Sequence, residues 1–402
     1  MDQTIRVLTI NTGSSSLKAA VYEVAAAETL AVAVEVERIG QAGSRLHAAD
    51  ANGRPLHDQQ LDLATHAAAL EAVLAWLTEQ GWTTQLQAAG HRVVHGGQHY
   101  REPHILTPAI FAALEQVVEL APEHLPQALA AMQTLTKAYP SLPQVVCFDT
   151  AFHRQMPRVA QLFALPRHLL DAGLMRYGFH GLSYEYIMHE LQHIDPAAAQ
   201  GRIIVAHLGN GASMAAVRDG MGIDTTMGFT PTGGLVMGTR SGDLDPGILV
   251  YLLQAQGLKP TELSQILNKQ AGLLGVSSRS SDMQDLLSNE AVDPHVAEAI
   301  ELFCYQAKKF VGALTAALGG LDTFVFTGGI GQHASPIRTR ICAGLEFLGI
   351  QLNAGRNAAH DAVISHTDSA VVVRVMATDE DRMIARHTYH LITGGGGFHV
   401  EV

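Results

Sequence analysis

The sequence predicts an α/β protein built from two duplicated lobes, and three observations carry that expectation. Apolar runs of strand character alternate with capped, amphipathic runs of helix character along all 402 residues. At about 150 residues per domain, such a length makes two or three domains, or one two-lobed unit. Sliding the chain by 196 positions sets Arg6-Val7-Leu8-Thr9 on Arg202-Ile203-Ile204-Val205, Gly13 on Gly209, Ala19-Ala20-Val21 on Ala215-Ala216-Val217 and Glu23 on Asp219. Each copy reads as a strand, a tight turn and a second strand. A match this short also fits two unrelated hairpins. The duplicated fold is the reading adopted, with one turn per lobe facing an anion in a cleft between the lobes.

Taken in order, strand-like segments cover residues 7–10, 18–24 and 30–37, followed by a helix over 67–79 and a short strand at 92–94. A helix over 108–120 opens with Thr107 as its N-cap and Pro108 at its first position, where the missing N–H costs nothing. Strands at 144–148, 202–208 and 213–217 precede a helix over 246–256 that begins behind Asp245, and a long helix over 294–318 leads to strands at 323–327 and 371–376. No Pro- or Ser-rich linker divides the halves. The first lobe is expected to hold residues 1–150 plus 385–402 and the second 151–384, with the four glycines from Gly394 forming a flexible tail.

Composition narrows the function. Apolar residues make up 47% and charged residues 16%, against a usual charged share of about 25%, so the chain forms a compact core. The net charge of −12 and the lack of any Lys/Arg block argue against nucleic-acid or anionic-membrane binding. Cys147, Cys304 and Cys342 are too scattered for a disulfide framework or a Cys-based zinc site and read as buried thiols. Met1-Asp2-Gln3 puts an acid where a signal peptide needs a cation, and no apolar stretch approaches the ~20 residues of a membrane span. A cytoplasmic enzyme is the expectation. The 21 histidines show no metal-binding spacing such as HExxH.

Candidate chemistry lies in glycine-rich turns and a few isolated polar residues. Asn11-Thr12-Gly13-Ser14-Ser15-Ser16-Leu17-Lys18 offers a tight turn, hydroxyl and N–H donors for phosphate oxygens, and the point charge of Lys18. It is not a Walker A loop, because no helix-opening Gly-Lys-Ser follows. His207-Leu208-Gly209-Asn210-Gly211-Ala212-Ser213 repeats this turn chemistry, which a plain hairpin would also show. Phe326-Thr327-Gly328-Gly329-Ile330-Gly331 follows a strand and precedes a helical run from about Pro336, a context suited to a nucleotide. Arg92 in Gly90-His91-Arg92-Val93-Val94-His95-Gly96-Gly97 and Arg240 in Gly238-Thr239-Arg240-Ser241-Gly242-Asp243 sit in apolar surroundings, where an arginine needs an anionic partner. His180 stands in Arg176-Tyr177-Gly178-Phe179-His180-Gly181, and Asp149 ends the apolar strand of Cys147-Phe148-Asp149-Thr150. A structural histidine and a salt-bridge carboxylate are the plainer readings of these two.

Together and in this order, the motifs resemble those of the acetate kinase family, within the superfamily that holds sugar kinases, actin and the Hsp70 ATPase; Glu380 in Thr378-Asp379-Glu380-Asp381 adds the last match. The resemblance implies a two-lobed, duplicated actin-like ATPase fold of the ribonuclease H-like kind with an interlobe cleft. It implies reversible transfer of the ATP γ-phosphoryl group to acetate, giving acetyl phosphate and ADP, with Mg²⁺. Because a carboxylate needs no general base, catalysis reduces to alignment and charge neutralisation. On this reading Arg92, Asp149, His180 and Arg240 are the catalytic residues, with the two arginines as planar forks and Asp149 orienting an arginine or a metal-bound water. Asn11 and Glu380 match the metal-holding positions. Lys18, His207, Leu208, Gly209, Asn210 and Gly211 would serve the phosphates. Asp282, Met283, Gln284, Gly329, Ile330, Gly331 and His333 would serve the adenosine. Arg92 with Val94, Phe179 and Pro231 would hold the acid, with room for one methyl. A homodimer is the family expectation, although no decisive patch stands out in the sequence.

The chain departs from the family pattern at several positions. Leu182 and Tyr184 replace the usual Thr and His, Glu123 and Leu125 flank His124 in place of Leu and Asn, Gln332-His333 replaces Glu-Asn, and Gln284 replaces Arg. A propionate or butyrate kinase is the near alternative. An actin-like or Hsp70-like nucleotide switch is the alternative of another class, and it leaves Arg92, His180 and Arg240 without a purpose, since a switch positions water and not a carboxylate.

Overall fold

The computed structural model describes residues 4–394, so the N-terminal Met1-Asp2-Gln3 and the glycines beyond Gly394 lie outside the described residues. The described residues divide into two compact units: Thr4–Ala151 together with Asp379–Gly394, and Phe152–Thr378. The return to the first unit thus falls at Asp379, ahead of the expected 385. Asp379 is the N-cap of a continuous helix, its carboxylate accepting the N–H of Arg382 at 2.9 Å.

The first unit carries an eight-stranded sheet of β1 (Ile5–Thr12), β2 (Leu17–Val24), β3 (Glu28–Glu37), β4 (Ser44–Asp50), β5 (Pro55–Leu61), β6 (Leu86–Val93), β7 (His104–Ile105) and β8 (Gln144–Phe148), in the order β5-β4-β3-β2-β1-β6-β8-β7. The second carries a five-stranded sheet of β9 (Arg202–Leu208), β10 (Ala212–Arg218), β11 (Met221–Thr225), β12 (Thr323–Thr327) and β13 (Val372–Val375), in the order β11-β10-β9-β12-β13. In the first sheet β3-β2-β1 pair antiparallel and β1-β6-β8 parallel. In the second, β11-β10-β9 pair antiparallel and β9-β12-β13 parallel. A shared order of five strands with shared directions is more than two similar hairpins, and it makes the repeat a duplicated fold. The β4–β5 pair is an addition to the first copy. β5 escapes the apolar pattern because none of its residues is buried, while β4 buries only Ser44, Leu46 and Ala48.

The helices that matter below are α1 (His66–Glu79), α2 (Leu125–Ala138), α3 (Gly181–Ile194), α4 (Pro246–Gln254), α5 (Pro294–Leu318), α6 (Gly328–His333) and α7 (Glu380–Thr393). Alternation along β1 explains the packing. Leu8 and Ile10 join Leu70, Val73 and Leu77 of α1 and Ala131 and Leu135 of α2 in one core. Ile5 and Val7 point the other way, to Ala385 and Tyr389 of α7. A strand buried on both faces reads as an unbroken apolar run. Each such side chain contributes about 1.5–3 kcal/mol. In the second unit α5 lies on β9 and β10. The three cysteines are buried free thiols, and among the described residues no helix is long and apolar enough to cross a membrane.

Gly90 sets how closely α7 approaches. A Cβ at that position would lie 2.3 Å from Thr388 Oγ1 and 2.4 Å from Ile384 Cγ2, so the helix rests directly on the β6 backbone. Gly90→Ala is therefore expected to destabilise the protein by about 1–3 kcal/mol in urea denaturation through overpacking. Gly312→Ala, inside α5 with nothing within 4 Å of the added carbon, is expected to stabilise it by about 0.5–1 kcal/mol. Equal effects from the two variants would refute the packing account.

Candidate active site

In the first unit, strand alternation delivers the polar cluster. Beyond Ile5 and Val7, the same face of β1 carries Thr9 and Asn11, and there they meet the first turn of α7: Thr9 Oγ1 donates to Asp381 Oδ1 at 3.3 Å, and Asn11 Nδ2 donates to Glu380 Oε2 at 3.2 Å. Gly90 lies beside Thr9 in the sheet, so Arg92, two residues on, emerges beside Asn11. Its Nε and Nη2 donate to Asp149 Oδ1 and Oδ2 at 2.8 and 2.6 Å, and its Nη1 donates to Asn11 Oδ1 at 3.1 Å. Glu380 Oε2 lies 3.3 Å from the same Nη1. Asp149 is 1% exposed, and its backbone N–H is tied to the Val93 carbonyl at 3.0 Å. Of the two roles open to Asp149 in the sequence, the one this geometry displays is a grip on an arginine.

The electrostatics follow from burial and pairing. Burial alone would lower the Arg92 pKa, but the carboxylates of Asp149 and Glu380 outweigh it and hold the guanidinium above its ordinary value. Asp379, Glu380 and Asp381 crowd the N-terminal end of α7, where backbone N–H groups favour negative charge. Burial, with Asp379 and Glu380 adding to it, pushes the Asp381 carboxyl up to about 7. Lys18 faces Asn11 across the hairpin, but its ammonium is half exposed and 3.7 Å from Glu35, so its charge is shared with that carboxylate. Val94 is buried just past β6. Among the described residues, one group of three potential His, Cys or carboxylate metal ligands lies within 4.8 Å of one another, Glu35, Glu37 and His47 on β3 and β4.

In the second unit, His180 is the N-cap residue of α3 and holds a left-handed φ of 57°, uncommon for a side chain of its size. Two neighbours impose it. Gly178 turns at φ 74° with the His153 ring against its α-carbon, and His153 Nε2 donates to the Phe179 carbonyl at 3.0 Å. Burial pushes the His153 pKa down to about 4, so its ring stays neutral. Thus fixed, His180 stacks on His207 with ring centres 4.3 Å apart and places Nδ1 2.8 Å from Ser213 Oγ. His207 and Ser213 are direct partners across β9 and β10, which is why both reach the same ring. Phe179 is buried beside them in sequence.

Arg240 arrives on a loop held by backbone bonds, Gly238 N–H to the Asn210 carbonyl at 3.0 Å and Leu273 N–H to the Met237 carbonyl at 2.9 Å. Its Nη1 donates to the Pro231 carbonyl at 2.7 Å. A Cβ on Gly211 would lie 2.9 Å from Arg240 Nη2 and 3.3 Å from His180 Nε2. A cationic fork and an imidazole therefore converge on one stretch of bare backbone in the His207–Gly211 turn.

The remaining candidates are placed less directly. The expected loop around Gly329, Ile330 and Gly331 is already helical, because α6 starts at Gly328 without a connection after β12 and well before Pro336. Gly329 has nothing within 4 Å of its added carbon and faces open space. The carbonyls of Gly331 and Gln332, next to His333, accept Arg338 Nη1 at 2.8 and 2.7 Å. Fully buried Arg338 also bonds Asn357, and nothing in its surroundings in the sequence marks it as the anchor of α6. Asp282 caps the helix Met283–Asn289 by accepting the N–H of Gln284 at 2.7 Å, Met283 is buried and the Gln284 side chain is exposed. Ser213 and Tyr184, absent from the sequence-derived candidates, touch the His180 network. A serine in a strand gives no sign of which ring it will meet.

Comparison with known proteins points one way. The Acetokinase family profile matches residues 6–386. The chain is 46% identical over 395 residues to an acetate kinase of Rhodopseudomonas palustris, covering 97% of this chain and 99% of that one. It is 43% identical over 397 residues to an acetate kinase of Methylocella silvestris, covering 96% and 98%. Among solved structures it resembles the acetate kinase of Porphyromonas gingivalis with a TM-score of 0.86 at 37% identity, covering 96% of this chain and 100% of that one. It also resembles a propionate kinase of Francisella tularensis with a TM-score of 0.90 at 35% identity, with the same coverage.

The bare backbone at Gly211 generates a test that separates function from fold. The atoms an added methyl would meet are the ends of side chains, so Gly211→Ala is expected to keep its melting temperature within a few degrees. By displacing Arg240 and His180 it is expected to lower kcat at least about 10²-fold, the loss typical of one preorganised donor. Turnover close to the unsubstituted protein would show that the convergence at Gly211 is not used.

Proposed function

We propose, from the premise that this chain belongs to the acetokinase family, a division of labour among its residues in phosphorylating acetate. The chain is a phosphotransferase with a carboxyl group as acceptor, moving the γ-phosphoryl group of ATP to acetate to give acetyl phosphate and ADP. The acetate carboxylate attacks phosphorus in line with the departing ADP oxygen: one P–O bond forms as the other breaks, and no proton has to move. The protein's task is then to align the partners and neutralise charge on a planar, metaphosphate-like group.

The observation that carries the assignment is the convergence of Arg240 and His180 on Gly211. With Nη1 on the Pro231 carbonyl and Nη2 beside Gly211, the Arg240 fork is assigned to equatorial phosphoryl oxygens, and His180 Nε2 stands beside it. In the first unit Asp149 and Asn11 take three of the five Arg92 N–H groups and Glu380 lies 3.3 Å from Nη1, so the second Nη2 N–H, with the one that Nη1 shares with Glu380, is assigned to the acid carboxylate. Asp149 thus acts through Arg92. Val94, Phe179 and Pro231 are assigned to the acid. His207, Leu208, Gly209, Asn210 and Gly211 are assigned to the phosphates, with Lys18 contributing at longer range. Asp282, Met283, Gln284, Gly329, Ile330, Gly331 and His333 are assigned to the adenosine, where the openness at Gly329 supports the reading. Asn11 and Glu380 are assigned to Mg²⁺: each carries a hard oxygen of the kind that suits it, Asn11 Oδ1 and Glu380 Oε2 both lying against Arg92 Nη1, and the ion when bound would supply positive charge against phosphate oxygens.

A homodimer is supported by α4. None of its residues is buried, and Ile248, Val250 and Tyr251 are 44%, 50% and 57% exposed in an otherwise apolar helix. This patch emerges only in the structure, because an apolar helix in the sequence reads as core. A cytoplasmic location, where ATP is at hand, completes the proposal.

Hydroxylamine trapping of the product is expected to yield acetyl hydroxamate from ATP and acetate, an outcome no nucleotide switch would give. Discrimination for acetate over propionate in kcat/KM is expected to be about 10- to 200-fold, the worth of one methylene, and to shrink in Val94→Ala. An unchanged ratio would remove Val94 from the acid pocket. Arg92→Lys and Arg240→Lys are each expected to lose about 10²-fold in turnover, since a single ammonium cannot span two oxygens. Near-normal rates in both would defeat the fork assignment. By light scattering, Ile248→Glu is expected to turn a dimer into a monomer, and an unaltered mass would exclude α4 from the interface.

A further inference from the structure

The hydrogen bonds behind His180 determine which of its nitrogens carries the proton. Its Nδ1 lies 2.8 Å from Ser213 Oγ, and the Ser213 hydroxyl is also hydrogen bonded to the Tyr184 hydroxyl. Ser213 and Tyr184 are both fully buried, and among the described residues neither side chain makes another hydrogen bond. The network therefore contains two hydroxyl protons and two hydrogen bonds. Only one arrangement gives each proton an acceptor: Tyr184 O–H donates to Ser213 Oγ, and Ser213 O–H donates to His180 Nδ1. If Nδ1 carried a proton, Ser213 would have to accept it, and one of the two hydroxyl protons would be left without a partner away from water, which is the costly outcome for a buried donor.

We infer that Ser213, oriented by Tyr184, is a positioning residue that holds His180 as the neutral ring with its proton on Nε2, the nitrogen beside Gly211 and Arg240. The inference deepens the assignment of His180 to the transferred phosphoryl group and rests on it. Its motive is chemical. A bare Nε2 would present a lone pair to an anionic phosphoryl oxygen, whereas Nε2–H presents a donor. A second positive charge on the ring would face the Arg240 guanidinium, which meets His180 Nε2 at the same Gly211 backbone, while His207 is stacked 4.3 Å away. A parallel chain serves His207, where the Thr378 hydroxyl donates to Ser183 Oγ at 2.9 Å and Ser183 lies 2.8 Å from His207 Nδ1. Tyr184 takes part as a departure from the family pattern, in which a histidine usually stands at that position.

The test is ¹⁵N NMR of the full-length protein labelled at histidine, with the His180 signals identified by their loss in His180→Gln, combined with steady-state kinetics. In the unsubstituted protein the His180 signals are expected to be those of a ring protonated at Nε2. Ser213→Ala alone strands the Tyr184 hydroxyl and could disturb the fold, so the decisive variant is Ser213→Ala with Tyr184→Phe, which leaves no hydroxyl unsatisfied. It is expected to show averaged tautomer signals and a kcat about tenfold lower, a fraction of the loss from deleting a donor outright, with KM for ATP unchanged. Ser213→Thr, which keeps the hydroxyl, is expected to retain the Nε2–H signals and most of the rate. A proton on Nδ1 in the unsubstituted protein, or an unchanged tautomer in the double variant, would overturn the inference. A tautomer that shifts as expected with kcat unaltered would uphold the proton count and defeat the assignment of His180 to the phosphoryl group.

Discussion

A guanidinium cannot be withdrawn from water alone, and the first unit is organised around satisfying that condition for Arg92. Asp149 meets it with two parallel hydrogen bonds, and Asn11 and Glu380 complete the shell. Removing one partner of a buried pair typically costs about 3–5 kcal/mol, because the other charge is left uncompensated. The condition ties together four distant parts of the chain: β1, β6, the end of β8 and the start of α7. Glu380 reaches the cluster because α7 lies flat on the sheet, and α7 can do so because Gly90 offers it no side chain. The packing device and the chemical device are two residues apart on the same strand face.

The second unit meets a different demand on the same scaffold. Both sheets share a core order of three antiparallel strands followed by two parallel ones, yet the first hairpin ends at an amide and a carboxylate, while the second ends at stacked imidazoles beside an arginine. The two units thus place different side-chain chemistry at corresponding ends of one scaffold. Duplication supplied the frame, and the turns at corresponding ends diverged in what they hold.

Hydroxyl groups do more in this protein than composition suggests. The Tyr184–Ser213 and Thr378–Ser183 chains each end on the Nδ1 of one of two stacked histidines. Such networks gain by being complete, since each donation polarises the next and an interrupted chain strands a proton. They tie the orientation of the rings to the strands beneath them, and so to the core.

Read alone, the sequence determined whatever depends on neighbours along the chain. The alternation of β1, the Thr107–Pro108 helix start, the Asp245 cap ahead of α4 and the turns at Gly13 and Gly209 follow from local periodicity and local hydrogen bonding. Motif order led to the family, and with it to Arg92, Asp149, His180 and Arg240 as candidates. Only the tertiary structure decided who meets whom. That Asp149 grips Arg92, that Ser213 backs His180 and that Glu380 meets Asn11 are contacts between residues 57, 33 and 369 positions apart, set by strand register and helix packing. A polar side chain announces that it needs a partner, but the identity of that partner is a property of the folded chain, because many distant groups could satisfy the same donor and only packing selects among them.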